Sequence, residues 1–179
     1  MANDCFGTIK FVAKSEDVLD KINDIFNYKD SDFCLYRVFD FSDCERTEED
    51  GFKVMIADFD VAWSASLWIN TDDNPEEKVL LEWHPEDETK NVYGTAHITN
   101  LPHICRELDC AFELYSREPG CCFAEHYAGN HNGELMCNET EKYTERWHDE
   151  DGNELDAPIE EGGFGDDYCK FSSAGALWG

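Results

Sequence analysis

Residues 117–127, REPGCCFAEHY, bring two adjacent cysteines, a glutamate and a histidine into one short stretch, and these side chains are the first place to look for chemistry. A nucleophilic cysteine needs a base, a cation or a helix N-terminus to depress its thiol pKa. Cys121 and Cys122 follow a Pro119-Gly120 break in an acidic neighbourhood, which pushes a thiol the other way, so strand cysteines serving as small apolar side chains are the better reading. Zinc asks for Cys/His pairs at short spacing in two sets, and Cys105, Cys110, Cys121, Cys122, His126 and Cys137 match no standard pattern. On a strand, Cys122, Ala124 and His126 share a face, so a Cys122/His126/Cys137 cluster across a hairpin is the weak metal candidate. Asp149, Asp151 and Asn153 hint at a calcium loop. There Gly152 comes at the fourth position where an EF-hand needs it at the sixth, and Pro158 interrupts the rest, so a turn at Asp151-Gly152 is expected instead. The chain has no GxSxG, P-loop, GxGxxG-helix or HExxH string. The expectation is a protein without catalytic residues or cofactor.

Charge is the stronger signal. The 179 residues include 41 acidic and 14 basic side chains, a formal net charge of -27. Disordered acidic chains are poor in aromatics, whereas this one has 12 Phe, 7 Tyr and 5 Trp, so it reads as folded. Residues 41–90 carry -11 and residues 139–179 carry -9, so the surplus is concentrated. Nowhere do more than two basic residues cluster, which argues against direct nucleic-acid binding and for a basic partner. Residues two apart on a strand lie about 6.5 Å from each other, close to the spacing of successive phosphates, so a folded acidic surface can imitate a nucleic-acid backbone. The candidate partner-binding acids are Glu45, Glu48, Glu49 and Asp50; Asp58 and Asp60; Asp72, Asp73, Glu76 and Glu77; Glu82, Glu86, Asp87 and Glu88; Glu139, Glu141 and Glu145; and Asp149, Glu150 and Asp151. Trp83, Tyr143 and Trp147 lie among them and are expected to anchor a partner by stacking on arginine. A merely solvated acidic face is the alternative reading of the same pattern.

These side chains need elements to hold them. CFGTIKFVAK reads as a strand, and SEDVLDKINDIF as a helix with Ser15 as N-cap and Val18, Leu19, Ile22, Ile25 and Phe26 on one stripe. Residues 33–41 form a second strand, SDCERTEEDG an acidic loop, and residues 52–63 an alternating strand that SLWI continues. TDDNPEE breaks the ribbon, KVLLEWHP is a strand and EDETKN a loop. TNLPHICRELDC is a short helix with Thr99 or Asn100 as N-cap and Pro102 near its first turn. AFELYSRE and CCFAEHYA are strands, Asn132-Gly133 a type I′ hairpin turn, and ELMCNETEKYTERW the returning strand. Residues 165–179 form a loosely ordered tail. The order predicts a single α+β domain over 1–179: a ferredoxin-like sandwich, an antiparallel sheet with two helices on one face and additional hairpins.

The opening MANDCFGTIKF and the segment HITNLPHICRELDCAFELYSREPGCCFAEHYAGNHNGEL, with the Trp-bearing hairpin after it, resemble the Api92-like, or YubB ferredoxin-like, proteins of phages, plasmids and mobile elements. The likeness covers the first strand and residues 97–148, and departs at Asp4, where family members mostly carry an aromatic. It implies a ferredoxin-like fold and a mobile-element setting, with no established activity and no catalytic residues. Charge and setting together lead to the expectation of an inhibitor of a nucleic-acid-dependent host defence effector, of anti-CRISPR or anti-restriction type. It would bind a basic channel such as that of a Cas9-type nuclease. The rival expectations are a metal-dependent nuclease acting on guide RNA or DNA and a zinc-binding accessory protein. With no apolar leader and no apolar run of membrane-spanning length, the expected place is the bacterial cytoplasm, away from membranes.

Overall fold

Ile9, Phe11 and Ala13 alternate with Thr8, Lys10 and Val12, and that period of two makes the first segment a strand with two distinct faces. The computed structural model describes residues 4–179. In chain order its elements are β1 (Asp4–Ala13), α1 (Glu16–Phe26), β2 (Phe33–Leu35), β3 (Val38–Glu49), β4 (Phe52–Ala62), α2 (Leu67–Asn70), β5 (Asn74–Glu82), β6 (Val92–Thr99), α3 (Leu101–Leu108), β7 (Cys110–Glu118), β8 (Phe123–Gly129), β9 (Leu135–His148), β10 (Glu154–Gly162) and α4 (Ala174–Trp178). Short 3-10 turns occupy Glu88–Lys90 and Gly165–Asp167. One sheet has seven strands in the order β10-β9-β8-β7-β1-β4-β3; a second has three, β2-β6-β5, with β2 parallel to β6.

This corrects the expected ferredoxin-like α+β sandwich. The molecule is mostly strand, 51% against 20% helix, and its main sheet is long and curled. The difference lies in the acidic segments. Asp and Glu have weak strand preference, so SDCERTEEDG reads as loop. In the structure β3 runs through it, paired with β4 as far as Glu49↔Phe52 with a register shift between Asp43 and Glu45. The hairpin closes at Asp50-Gly51, whose φ values of 53° and 81° are the two positive torsions of a type I′ turn.

The type I′ turn expected at Asn132-Gly133 is absent: only Gly133 has positive φ there. The loop runs from Asn130 to Glu134, and Asn130 Oδ1 accepts the Asn132 and Glu134 amides at 3.0 and 3.1 Å. Gly133 is required because a Cβ at that position would sit 2.3 Å from the Pro102 carbonyl oxygen. SLWI is a helix rather than a strand: Arg37, at φ 55°, separates β2 from β3, and Trp68 inserts beneath that break with its indole N–H donating to the Tyr36 carbonyl at 2.8 Å.

Leu19, Ile22, Ile25 and Phe26 of α1 and Leu101, Ile104 and Cys105 of α3 pack with Ile9, Phe11, Met55, Phe112 and Leu114 on one sheet face. Asn100 caps α3, accepting the His103 amide at 2.8 Å, whereas Ser15 precedes α1 without a side-chain cap. The opposite face has its own apolar patch, Val12, Val54, Ala111 and Ala128, covered by Ala174 and Leu177 of α4. Residues 165–179, read from sequence as a loose tail, therefore include a helix with two buried side chains, and helices lie on both faces of the main sheet.

Candidate functional site

Strand pairing sorts the side chains of the face under α4 into rows. One row crosses six strands as Ser42, Asp58, Thr8, Tyr115, His126 and Glu139. The next runs Asp40, Asp60, Phe6, Arg117, Ala124 and Glu141. Asp40, Asp58 and Asp60 thus stand at one side of the face and Glu139 and Glu141 at the other. With strands about 4.8 Å apart, β4 and β9 are about 19 Å apart across the face. Between the two acid groups the C-terminal segment crosses the sheet, with Tyr168 against the Arg117 guanidinium at 4.1 Å. Burial, with Asp40 and Asp4 adding like charge, raises the Asp60 pKa.

His126 lies near the middle of this face. Its ring stacks on Tyr115 at 4.1 Å and 7°. Nε2 is 2.8 Å from Oε1 of Glu113, a carboxylate 2% exposed whose other oxygen accepts the Ser172 amide at 2.6 Å. A carboxylate accepts only, so Nε2 carries the hydrogen, which in the neutral ring leaves the lone pair on Nδ1. That lone pair faces Cys137 Sγ at 3.3 Å. Burial, then the charges of Glu139 and Glu113, push the Cys137 pKa up to about 11, so the group is a neutral thiol, within reach of both Nδ1 and the His126 carbonyl at 3.6 Å, and not an activated nucleophile. A recess of about 400 Å³ opens beside it, lined by Tyr115, His126, Glu139, Glu141, Phe164 and Asp167.

The Cys122/His126/Cys137 cluster is corrected in one member. Cys122 lies before β8, in a turn at φ 53°, and its thiol donates to the Pro119 carbonyl at 3.3 Å. Glu139, opposite His126 in the ladder, takes its place: His126, Cys137 and Glu139 offer ligand atoms within 4.8 Å of one another. A second group was invisible in the sequence because its members come from three separate segments. Asp73, His97 and His103 also converge within 4.8 Å. His97 Nε2 is 3.1 Å from Asp73 Oδ1, which also accepts from the Thr99 hydroxyl at 2.7 Å, and His103 Nδ1 is 3.5 Å from Oδ2. Burial alone would raise the Asp73 pKa, but Thr99 and the two histidines outweigh it and hold it low. Arg106 Nη2 lies 2.9 Å from His103 Nδ1, so a cation already occupies that nitrogen.

The twenty candidate acids occupy several surfaces rather than one continuous strip. At the β3–β4 hairpin end, Glu45 is exposed and Glu48 pairs with Lys53 at 2.6 Å. Glu49 and Asp50 serve the fold: Glu49 binds Lys10 at 2.7 Å and the Ala174 amide at 3.2 Å, and Asp50 accepts the Gly175 amide at 3.1 Å. Asp58 accepts from the Thr8 hydroxyl at 2.9 Å. Asp72 precedes β5, while Glu76, Glu77 and Glu82 ride on it in the smaller sheet. Glu82 and Glu86 flank His84, and Asp87 caps the 3-10 turn in which Glu88 stands. Glu141 accepts the Phe164 amide at 2.8 Å and Glu145 sits farther along β9 beside β10. Asp149 receives the Asp151 and Asn153 amides of its own turn at 2.9 and 2.8 Å, leaving Glu150 and Asp151 at the tip. Trp83 and Trp147 are exposed, but Tyr143, expected as an anchor, is buried at 4%.

Among the described residues no helix is long and apolar enough to cross a membrane. No protein-family model, curated protein or solved structure matches the chain.

Proposed function

We propose that this protein is an inhibitor of a nucleic-acid-dependent host defence effector, and that it binds the effector's basic channel through the acidic face of its main sheet. The observation that supports this reading most is the placing of Asp40, Asp58 and Asp60 and of Glu139 and Glu141 on one sheet face, from β3 to β9 about 24 Å measured along the sheet, in a chain of net charge -27. Carboxylates fixed on strands are held in position before binding, so little conformational freedom is lost when a Lys/Arg-lined channel closes on them. Glu49 and Asp50 drop out of the contact set because they stand at the β3–β4 hairpin end, away from the two acid groups, where Glu49 is already paired with Lys10 and both hold the start of α4. Exposed Trp83 and Trp147 are the aromatic anchors that remain. Such a role places the protein in the bacterial cytoplasm.

The test is capture of basic nucleic-acid-binding effectors, a Cas9-type nuclease included, with and without their RNA and DNA. Binding competed by nucleic acid and weakened by rising salt is the expected result. Asp58→Lys with Asp60→Lys, or Glu139→Lys with Glu141→Lys, should each weaken it at least about tenfold, about 1.4 kcal/mol. Binding indifferent to both reversals, or absent at low salt from every effector tried, refutes the proposal.

A further inference from the structure

We propose that His126, Cys137 and Glu139 form a zinc site, with Glu113 as the buried group that orients the histidine. The donor set is soft to borderline: a thiol, an imidazole and one carboxylate, which zinc accepts and which magnesium and calcium do not favour. Bonds of about 2.3 Å to sulfur and 2.0 Å to nitrogen at a tetrahedral angle place the two ligand atoms about 3.5 Å apart. Cys137 Sγ and His126 Nδ1 are 3.3 Å apart before any metal enters.

The lone pair of Nδ1 is aimed by design of the ladder rather than by chance rotation. Glu113 holds the proton on Nε2 at 2.8 Å, Ser172 fixes Glu113 through its amide, and Tyr115 stacked at 4.1 Å fixes the ring plane. A carboxylate on the far nitrogen of a metal-binding histidine both sets the tautomer and raises the basicity of the ligating nitrogen. Cys137 and Glu139 are two apart on β9 and so share the face that His126 occupies on β8. Glu139 is exposed, with its carboxylate already within 4.8 Å of both other ligand atoms, and the fourth position opens to the recess that Glu141 and Asp167 also line. On binding, the thiol proton leaves to solvent, and thiolate plus Glu139 neutralise the dication.

The Asp73/His97/His103 group lacks these features. Its His103 nitrogen already faces the Arg106 guanidinium at 2.9 Å, and Asp73 is held by His97 and Thr99, so the group reads as a hydrogen-bonded tie between β6 and the approach to β5. The zinc proposal shares Glu139 with the acidic face, but its test needs no partner protein, so either reading can fail without the other.

The experiment uses the full chain, with Cys44→Ser and Cys121→Ser to remove the exposed thiols, and zinc or cobalt as probe. One zinc per chain should survive gel filtration. The cobalt form should show a sulfur-to-cobalt charge-transfer band. Cys137→Ser and His126→Ala should abolish both signals, Glu113→Gln should weaken zinc binding by about 10- to 100-fold, and His103→Ala should leave it unchanged. If His126→Ala fails to fold, Cys137→Ser and Glu139→Gln carry the test. Absence of stoichiometric zinc, a cobalt–sulfur band that persists in Cys137→Ser, or loss of metal only in His103→Ala would each overturn the assignment.

Discussion

Replacing Glu125 by alanine should cost about 3 kcal/mol of stability, because this carboxylate is the hub of a buried network on the sheet face that packs against α1 and α3. It is 2% exposed. Oε2 accepts the Ala65 amide and the Ser116 hydroxyl, both at 2.9 Å, and Oε1 accepts from Ser64 at 2.6 Å and Tyr127 at 3.0 Å. The Ala65 amide cannot turn elsewhere, and a buried unsatisfied donor costs about 1–3 kcal/mol. The three hydroxyls can rotate, so each is counted at a net hydrogen-bond value of about 1 kcal/mol. Together these give about 5 kcal/mol, from which relief of a desolvated charge returns about 2 kcal/mol. The result is a large share of the about 5–15 kcal/mol that holds a domain together. Urea unfolding at neutral pH is the assay. At a slope of about 2–3 kcal/mol/M the midpoint should fall by about 1–1.5 M with the slope unchanged. Glu125→Gln keeps one acceptor oxygen and should fall between. A midpoint shift under about 0.4 M for Glu125→Ala would mean that desolvation of the charge cancels its hydrogen bonds, and the hub argument would fail.

Lys10, 4% exposed, joins Glu49 at 2.7 Å to the Ser172 carbonyl at 2.8 Å, so Lys10→Met should cost about 2 kcal/mol and speed hydrogen exchange in residues 172–178; unchanged exchange there would rule out the clamp. Burial first of all raises Cys5 from 9.0 to about 12 and Tyr28 from 10.0 to about 12, so the unfolded chain ionises before the folded one. That stabilisation is complete below pH 9.0 and is lost as pH climbs toward about 12; a urea midpoint that stays flat across this window would contradict it. On the acid side Lys14 holds the Asp109 pKa below its ordinary 3.8, so this contribution is present above that value and lost as pH falls through the lowered one; Asp109→Asn should flatten that part of the pH profile. Alkylation of the native protein should reach exposed Cys44 and Cys121 well before buried Cys5, Cys34, Cys105 and Cys110, and mass mapping that finds the buried set modified first would refute the core assignment.

Elements whose signals are local were legible in the chain. The stripe of Leu19, Ile22, Ile25 and Phe26 forms α1, and Asn100 with Pro102 opens α3, because caps and helical periodicity act within a few residues. The acidic half of β3 was not legible, since Asp and Glu disfavour strands until a partner supplies the ladder. β4 is that partner, with Val54 and Ile56 opposite Thr47 and Glu45. The hairpin turns show the same division. Asn132-Gly133 has the composition of a type I′ turn, but contact with Pro102 of α3 demands a different loop, and the type I′ geometry appears at Asp50-Gly51 instead.

By itself the sequence determined the charge and its concentration in two segments, the two longer helices and the strands that carry Asp58, Asp60, His126, Cys137 and Glu139, but not the strand character of the stretches holding Glu45, Glu48, Glu49, Glu76 and Glu77. These are properties of composition and of near neighbours. Only the tertiary structure decided which strands adjoin, and through that the site. Glu113 and Ser172 meet across 59 positions of chain, and Lys10 meets Ser172 across 162. His126 acquires Cys137 and Glu139 as partners only when β8 and β9 take one particular register. A register slip by one residue would send those side chains to the opposite face, and nothing in the chemistry of Cys, His or Glu selects the register. It is selected by the buried apolar rows and by turns such as that at Gly133, which exist only once the sheet and its helices are packed together.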